Sequence, residues 1–223
     1  MEKKKILEFQ NISKSFVGVK ALSDVSFSVR EGEVHALLGE NGAGKSTLMK
    51  ILSGAYMKDA GKVFLDGQEI QVKNTKESER LGISIIYQEL NLIPELSVAE
   101  NIFLDRQPKR NGFIDWKQMN QDAEKILEGI DMKIPPKMIV STLSVAQRQM
   151  VEIAKAVSLG ARLVIMDEPT STLTEGETRK LFQVISSLKQ RGITIIYISH
   201  RMDEIFEICD SYTILRDGTF IKQ

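Results

Sequence analysis

Cysteine, proline, tryptophan and net charge are all scarce in this chain. Of its 223 residues, one is cysteine, one is tryptophan and five are proline, and 30 basic residues balance 30 acidic ones. The lone cysteine, Cys209, excludes an internal disulfide, and zero formal net charge argues against a nucleic-acid partner, which usually demands a basic excess. Apolar runs fall far below the roughly 18 residues that a membrane helix needs, and the N-terminus lacks the apolar core of a signal peptide. We therefore expect a soluble, cytoplasmic chain that needs separate subunits for any work at a membrane.

Short apolar runs alternate with helical patterns over most of the sequence. The first two runs, 5–11 and 25–29, alternate in polarity and predict half-buried strands. Most later strands are predicted as continuous apolar runs separated by helices, which is typical of a parallel sheet covered on both faces. These predicted strands are Val34–Leu38, 63–65, 83–87, 163–166, Thr194–Ile198 and 211–215. The predicted helices among them are 46–53, 175–189 and 202–209. Turns are predicted at Asp66-Gly67, in a hairpin that begins with strand 63–65, and at Asp217-Gly218, after the last strand.

The middle of the chain has a different pattern. From about residue 97 to residue 159 no strand is predicted, and helical periodicity is interrupted by Pro108, Gly112 and two adjacent prolines at 135–136. We interpret about 92–158 as a helical subdomain inserted into a single α/β domain that fills residues 1–223.

A glycine-rich segment lies between the predicted strand Val34–Leu38 and the predicted helix 46–53. It fits the pattern G-x-x-x-x-G-K-[ST] in full. Its residues are Gly39, Glu40, Asn41, Gly42, Ala43, Gly44, Lys45, Ser46 and Thr47. Glycines let successive backbone N–H groups turn towards phosphate oxygens, and the helix that follows presents its positive end to the same anion. Lys45 would place its charge on the β- and γ-phosphates, and the Ser46 hydroxyl would be a ligand of Mg²⁺, so the segment predicts binding of a nucleoside triphosphate with Mg²⁺.

The predicted strand 163–166 leads into two carboxylates, Asp167 and Glu168. A buried parallel strand delivers its carboxyl end to the ligand crevice of the sheet. We expect Asp167 near Mg²⁺, directly or through water, and Glu168 where it can orient or deprotonate an attacking water. The alternative is a strand that simply meets solvent at two acidic residues, and the phosphate-binding segment upstream makes that the weaker interpretation. The second carboxylate favours hydrolysis of the nucleotide.

The segment Leu143-Ser144-Val145-Ala146-Gln147 connects these features to a family. It resembles L-S-G-G-Q, the signature of ATP-binding-cassette (ABC) proteins, with Val145 and Ala146 in place of the two glycines. Four further motifs match in order along the chain: the aromatic residue that stacks on adenine, the Q-loop glutamine, the D-loop after the acidic strand, and the switch histidine. They are Phe16, Gln88, 171–174 and His200. The resemblance covers nearly the whole chain and implies a P-loop NTPase fold with a RecA-like parallel sheet core, an N-terminal antiparallel β subdomain and an inserted helical subdomain.

The resemblance also implies a mechanism that uses two ATPase domains. In this family the domains meet head to tail, and each ATP is held by the phosphate loop of one domain and the signature of the other. Ser144 and the helix that follows it would therefore approach the γ-phosphate of ATP on the partner. Gln88 would join Ser46 and Asp167 near Mg²⁺, and His200 would contact the γ-phosphate held by this chain.

Departures from the family pattern narrow the resemblance to one subfamily. Val145 and Ala146 replace the two glycines that allow the usual close backbone approach, and Thr174 stands where the family usually has aspartate. We therefore expect the ATP site that uses this chain's signature to be weaker than the site on its phosphate loop. The stretch 143–156 is similar to the N-terminal ATPase half of ribose-, xylose- and galactose-type sugar importers. Those proteins carry two ATPase domains in tandem, so the resemblance implies that the second half is absent from this sequence.

The sequence thus predicts an ATPase, dependent on ATP and Mg²⁺, that powers monosaccharide import. It would lie on the cytoplasmic face of the cell membrane against transmembrane permease subunits, with a periplasmic or extracellular sugar-binding protein as an indirect partner. A regulatory nucleotide-binding subunit with little turnover is one alternative, which Glu168 and His200 count against and the altered signature keeps open. A non-transport ABC protein acting on DNA or ribosomes is another, and the lack of a long coiled coil before the signature disfavours the DNA-repair type.

Overall fold

The computed structural model describes residues 4–223, which form twelve strands and seven α-helices. The strands are β1 (Lys5–Phe16), β2 (Val19–Arg30), β3 (Val34–Leu38), β4 (Ala60–Leu65), β5 (Gln68–Ile70), β6 (Ile83–Ile86), β7 (Lys109–Arg110), β8 (Phe113–Ile114), β9 (Leu163–Asp167), β10 (Thr194–Ile198), β11 (Ser211–Arg216) and β12 (Thr219–Lys222). The α-helices are α1 (Lys45–Leu52), α2 (Thr75–Arg80), α3 (Val98–Ile102), α4 (Trp116–Gly129), α5 (Val145–Ser158), α6 (Glu175–Gln190) and α7 (Met202–Ile208). Within this described range, none of the helices combines the length and apolar character needed to cross a bilayer.

A four-stranded antiparallel sheet has the order β2-β1-β4-β5. Its first two strands are each 12 residues long, well beyond the predicted 5–11 and 25–29. The difference follows from shifts in register, for example between Phe9 and Ile12, which change the phase of the polarity alternation. The predicted hairpin is present as β4 and β5, and its turn residues Asp66 and Gly67 both have positive φ, as a two-residue hairpin turn needs.

A second sheet of six strands has the order β12-β11-β3-β10-β9-β6. Its neighbours are parallel except for β12, which runs antiparallel to β11. Residues of β3 pack into two different apolar cores on the two faces of the sheet. Val34 and Ala36 pack in the core that contains helices α3 to α7, whereas Leu37 packs in the core that contains α1 and the antiparallel sheet. This burial on both faces confirms the predicted α/β fold with a parallel core and an antiparallel N-terminal part.

Helix α2 was not predicted, and neither were two small β elements. The first is the hairpin of β7 and β8, which lies inside the stretch where no strand was expected and turns at Asn111 and Gly112. Its four paired residues are all exposed, so they carry no apolar alternation, although an Asn-Gly pair is itself a strong turn signal. The second is β12, which follows the predicted turn at Asp217 and Gly218 and is exposed at every residue.

Three helices of the middle segment pack on one another and on the sheet. Helices α3, α4 and α5 contact each other pairwise, and α5 also contacts β6. Their apolar faces belong to the same buried cluster as one face of the parallel sheet. The position of α5, which begins within the signature segment, is therefore fixed against the strands that lead to the candidate site.

Candidate nucleotide site

The carboxyl ends of four neighbouring parallel strands carry most of the predicted site residues. Strand β3 leads into the glycine-rich segment, β10 into His200, β9 into Glu168 and β6 into Gln88. Adjacent parallel strands end at the same edge of a sheet, which is where ligands of such folds bind. The register pairs Asp167 with Ile198, two residues before His200. The topology thus brings together groups that are up to 161 positions apart in the chain, from Gly39 to His200.

The phosphate loop, defined as residues 39–44, has a conformation that depends on glycine. Gly39, Gly42 and Gly44 have φ values of 152°, 85° and 99°, which side chains with a Cβ adopt only under strain. A Cβ on Gly44 would lie 2.7 Å from the carbonyl oxygen of Ala21 and 2.6 Å from Cδ2 of Leu22, both in β2. The phosphate loop can therefore pack closely against the antiparallel sheet only because Gly44 has no side chain.

Helix α1 begins directly after the phosphate loop. No side chain caps its N-terminus, and its first turn holds no acidic residue. The first backbone N–H groups of a helix have no partner within the helix, and the helix dipole makes this end positive. The start of α1 therefore fits an anion such as a nucleotide phosphate.

The Lys45 ammonium group folds back over the phosphate loop. It donates hydrogen bonds to the carbonyl oxygens of Gly39, at 2.6 Å, and Glu40, at 3.0 Å. Partial burial lowers the pKa of Lys45, while attraction to the carboxylates of Asp167 and Glu168 opposes that shift. The lysine charge is thus felt at the end of β9, so one polyphosphate could contact both the loop and the acidic pair.

Asp167 is a half-buried carboxylate at the end of β9. Burial raises its pKa, the charge of Glu168 adds to this rise, and Lys45 and Lys50 oppose it. No group of three or more histidine, cysteine, aspartate or glutamate side chains in residues 4–223 could hold a metal ion by itself. Mg²⁺ takes oxygen ligands and usually binds through one or two carboxylates together with substrate phosphates and water. Asp167 and the exposed Ser46 hydroxyl fit this type of site, in which ATP would supply further oxygens.

Glu168 and His200 form a pair at the edge of the sheet. Glu168 has a φ of 45°, a left-handed conformation that is uncommon outside glycine and is found at functional sites. Its backbone N–H donates to the carbonyl oxygen of Ile198, at 2.9 Å, which joins the ends of β9 and β10. Nδ1 of His200 lies 3.2 Å from Oε1 of Glu168, and the His200 side chain is 70% exposed. A carboxylate and an imidazole so placed could act together on a bound phosphate and water.

Phe16 and Gln88 have looser connections to this group. Phe16 ends β1, and its ring makes an edge contact with Tyr56 at a centroid distance of 5.1 Å. Leu22 of β2 lies beside Gly44, and its strand partner Lys14 lies two residues before Phe16 in β1. Gln88 is exposed two residues after the end of β6. The adenine contact of Phe16 and the Mg²⁺ contact of Gln88 stay predictions.

The signature segment lies at the start of α5 and points outward. The Ser144 hydroxyl accepts a hydrogen bond from the Gln147 N–H, at 3.2 Å, and the Gln147 side chain accepts one from the Ser144 N–H, at 2.9 Å. This reciprocal capping box secures the first turn. Leu143 is buried and anchors the segment, whereas Ser144 and Val145 are exposed and Ala146 is half-buried. The hydrogen bonds of Ser144 and Gln147 are thus to each other, and the exposed helix end is free to meet another molecule.

One carboxylate beneath the site was missed in the sequence. Glu204 of α7 is only 2% exposed and accepts hydrogen bonds from Thr170, Tyr197 and Ser199. In the sequence it is one of three acidic residues in the predicted helix 202–209, and nothing distinguishes it from a solvent-facing residue.

Comparisons with known proteins agree with this geometry. A family model described as "ABC transporter" matches residues 22–171. The ribose import ATP-binding protein RbsA of Caldanaerobacter subterraneus subsp. tengcongensis is 54% identical over 219 residues, which cover 98% of this chain and 44% of that protein. The galactose/methyl galactoside import ATP-binding protein MglA of Clostridium perfringens is 54% identical over 216 residues, which cover 97% and 42%. The chain therefore spans less than half the length of these curated relatives.

Solved structures show the same fold. A nucleotide-free ATP-binding cassette from an ABC transporter has a TM-score of 0.86 at 30% identity, with 97% of this chain and 90% of that chain covered. An ATP-binding cassette in its ADP conformation has a TM-score of 0.87 at 30% identity, with 97% and 89% covered. The fold and the phosphate loop thus define the class, which is that of the α/β P-loop nucleotide-binding domains. Within that class the chain belongs to the ABC transporter family, as the signature segment predicted.

Proposed function

We propose that this chain hydrolyses ATP to power the import of a monosaccharide of the ribose, xylose or galactose class through separate transmembrane permease subunits. The observation that carries the proposal is the sheet edge at which the phosphate loop meets the Glu168–His200 pair, with 3.2 Å between His200 Nδ1 and Glu168 Oε1. The relatives named for ribose and galactose import support the sugar class.

Each site residue has a role that follows from its position. The backbone N–H groups of residues 39–47 and the Lys45 ammonium bind the β- and γ-phosphates, and the Phe16 ring stacks on adenine. Bound Mg²⁺ would be held by Ser46, Asp167 and Gln88 and would neutralise phosphate charge. A carboxylate oxygen of Glu168 orients the attacking water and accepts its proton. His200 donates a hydrogen bond to the γ-phosphate and stabilises the charge that develops on it.

The outward signature supports a second ATPase domain as the partner, either a tandem half or another copy, in a head-to-tail arrangement. In that arrangement residues 143–147, carried by a helical subdomain of about 92–158, complete the ATP site of the partner. The permease subunits would bind the same chain on the cytoplasmic face of the membrane, and a periplasmic or extracellular sugar-binding protein would act only through them. A nucleic acid has no place in this proposal, since formal net charge is zero.

Magnesium-dependent ATP hydrolysis, measured against the concentration of the chain, tests this function. We expect the rate per molecule to rise with concentration, because a complete site needs a phosphate loop and a signature from two domains. Tight ATP binding without turnover at any concentration would mean that the chain needs a second ATPase half to supply a competent signature. Absence of turnover in a reconstituted transporter that contains this second half would support the regulatory alternative. Absence of ATP binding would refute the proposal.

Two variants assign the chemistry. Lys45→Ala should weaken ATP binding at least about tenfold, because a charge-assisted hydrogen bond is worth roughly 1.5–3 kcal/mol. Lys62→Ala is its control, since Lys62 is an exposed lysine of β4 whose ammonium lies 3.1 Å from the carboxylate of Glu69. Glu168→Gln should keep ATP binding and lower turnover about 100-fold or more, the usual contribution of a general base. Full turnover in Glu168→Gln would show that another group positions the water.

A further inference from the structure

The buried carboxylate of Glu204 lies at the centre of a hydrogen-bonded cluster. Its Oε2 accepts from Thr170 Oγ1 at 2.8 Å, from Tyr197 Oη at 2.8 Å and from Ser199 Oγ at 3.1 Å. Its Oε1 lies 2.8 Å from Nη1 of Arg201. We call these five residues the Glu204 cluster. Four of its five members are buried, Arg201 being the exception, so the carboxylate is screened from water and depends on these neighbours.

The members of the Glu204 cluster belong to three separate elements. Thr170 lies two residues after Glu168, in the loop that follows β9. Ser199 directly precedes His200, and its hydroxyl also accepts from the Arg201 N–H at 3.1 Å. Tyr197 lies inside β10 and belongs to neither loop. One oxygen of Glu204 therefore connects the Glu168 loop, the His200 segment and the sheet.

Neither residue of the Glu168–His200 pair is fixed by its own packing. The His200 side chain is 70% exposed, and Glu168 has a left-handed backbone conformation that its neighbours must maintain. In contrast, Thr170 and Ser199 are buried and bonded to a charged acceptor. Hydrogen bonds to an ionised group are roughly twice as strong as neutral ones, and losing one would leave a buried charge short of donors. The cluster can thus hold both loops at a set separation.

We propose that Glu204 is a positioning residue that sets the geometry of the Glu168–His200 pair. This inference rests on the proposed function, in which that pair acts on the γ-phosphate. Glu204 acts only through Thr170 and Ser199, and does not touch the nucleotide.

A matched pair of variants tests the inference without removing the buried charge. Thr170→Val and Tyr197→Phe each delete one hydroxyl group that donates to the same oxygen at the same distance, so each leaves Glu204 with one donor fewer. Thr170→Val removes the hydrogen bond between Glu204 and the Glu168 loop, whereas Tyr197→Phe leaves that hydrogen bond in place. We expect Thr170→Val to lower kcat at least about tenfold while the Kd for ATP stays within about twofold, and Tyr197→Phe to keep kcat within about threefold. Thr170→Ser should restore most of the lost kcat.

A second measurement needs neither nucleotide nor turnover. The chain has two histidines, so the imidazole signals of His200 in an NMR spectrum are readily assigned. His35 is fully buried and hydrogen-bonded to Ser211 and Thr213, and its unchanged signals would show that the fold is intact. We expect the His200 signals to move in Thr170→Val and to stay in place in Tyr197→Phe.

The outcomes separate this inference from the proposed function. Equal effects of the two variants on the His200 signals and on kcat, or no effect of either, would make the cluster merely structural and would overturn the inference. A wild-type chain that fails to bind ATP would refute the proposed function alone, because the NMR comparison in the nucleotide-free chain still decides whether Glu204 positions the pair.

Discussion

Gly44 is a phosphate-loop position where a single added methyl group should strongly destabilise the fold. Its φ of 99° is left-handed, and holding alanine there costs about 1–3 kcal/mol of stability. The added Cβ would also lie 2.7 Å from the Ala21 carbonyl oxygen and 2.6 Å from Leu22. The oxygen belongs to the backbone of β2 and cannot move alone, so overpacking adds about 1–3 kcal/mol. Gly44→Ala should therefore destabilise the chain by about 2–6 kcal/mol.

Gly42→Ala is the matched control for this prediction. Gly42 has a similar φ of 85°, but no heavy atom lies within 4 Å of a Cβ built there. It should lose only the backbone part, so Gly44→Ala should melt about 2–12 °C below Gly42→Ala, at about 2–4 °C per kcal/mol for a chain of this size. Thermal unfolding followed by circular dichroism without nucleotide measures this, because ATP would stabilise variants unequally. Equal midpoints would refute the steric argument.

Three further predictions concern other parts of the chain. Burial raises the pKa of the Cys209 thiol to about 12, so at pH 8 about one thiol in ten thousand is ionised. Alkylation of Cys209 should therefore occur only as fast as the chain unfolds. Rapid labelling of the folded chain would contradict this prediction. Burial opposes ionisation of Glu33, but hydrogen bonds from the His35 side chain and the Arg30 N–H outweigh it and lower its pKa below 4.5. The stability that ionised Glu33 contributes is present above its pKa in the unfolded chain and is lost as pH falls through its lower pKa in the native chain. Between pH 7 and about pH 4, Glu33→Gln should therefore lose less stability than wild type in urea unfolding. Equal losses in the two proteins would contradict this prediction. Ser144→Ala should lower the free energy of unfolding by about 0.5–2 kcal/mol, because the helix cap is lost. The affinity of the chain's phosphate loop for ATP should stay unchanged in titration calorimetry. A weaker affinity would place Ser144 in the ATP site of its own chain.

The parts of the site that could be predicted from the sequence are those formed by consecutive residues. The phosphate loop is a contiguous pattern, and its conformation follows from where the glycines stand. The two central strands Val34–Leu38 and Thr194–Ile198 were predicted with their observed bounds, because buried parallel strands are continuous apolar runs with sharp ends. Once strands are known to be parallel neighbours, their carboxyl ends must lie together, so the approach of Glu168 to His200 followed from topology.

Features that depend on distant partners could not be predicted. Glu204 is an ordinary acidic residue of a short helix until the fold places Thr170, 34 positions earlier in the chain, beside it. The hairpin of β7 and β8 and the strand β12 are exposed, so the apolar signal that marks other strands is missing. The bulges in β1 arise from pairing with β2, and a single strand's pattern does not reveal where its register shifts.

The departures from the family pattern, in the signature and in the D-loop, lie where the local structure is already satisfied. Thr174 caps α6 in a reciprocal box, since the carboxylate of Glu177 accepts from its N–H at 2.9 Å and from its hydroxyl at 2.8 Å, so threonine serves that helix in place of aspartate. Val145 follows the complete capping box of Ser144 and is 39% exposed. Neither replacement disturbs its own helix, and both change only what the chain presents to a partner. We therefore expect their effect on the ATP held by the partner, while the chain's own phosphate loop keeps its full set of groups, which makes the two sites of the proposed pair unequal.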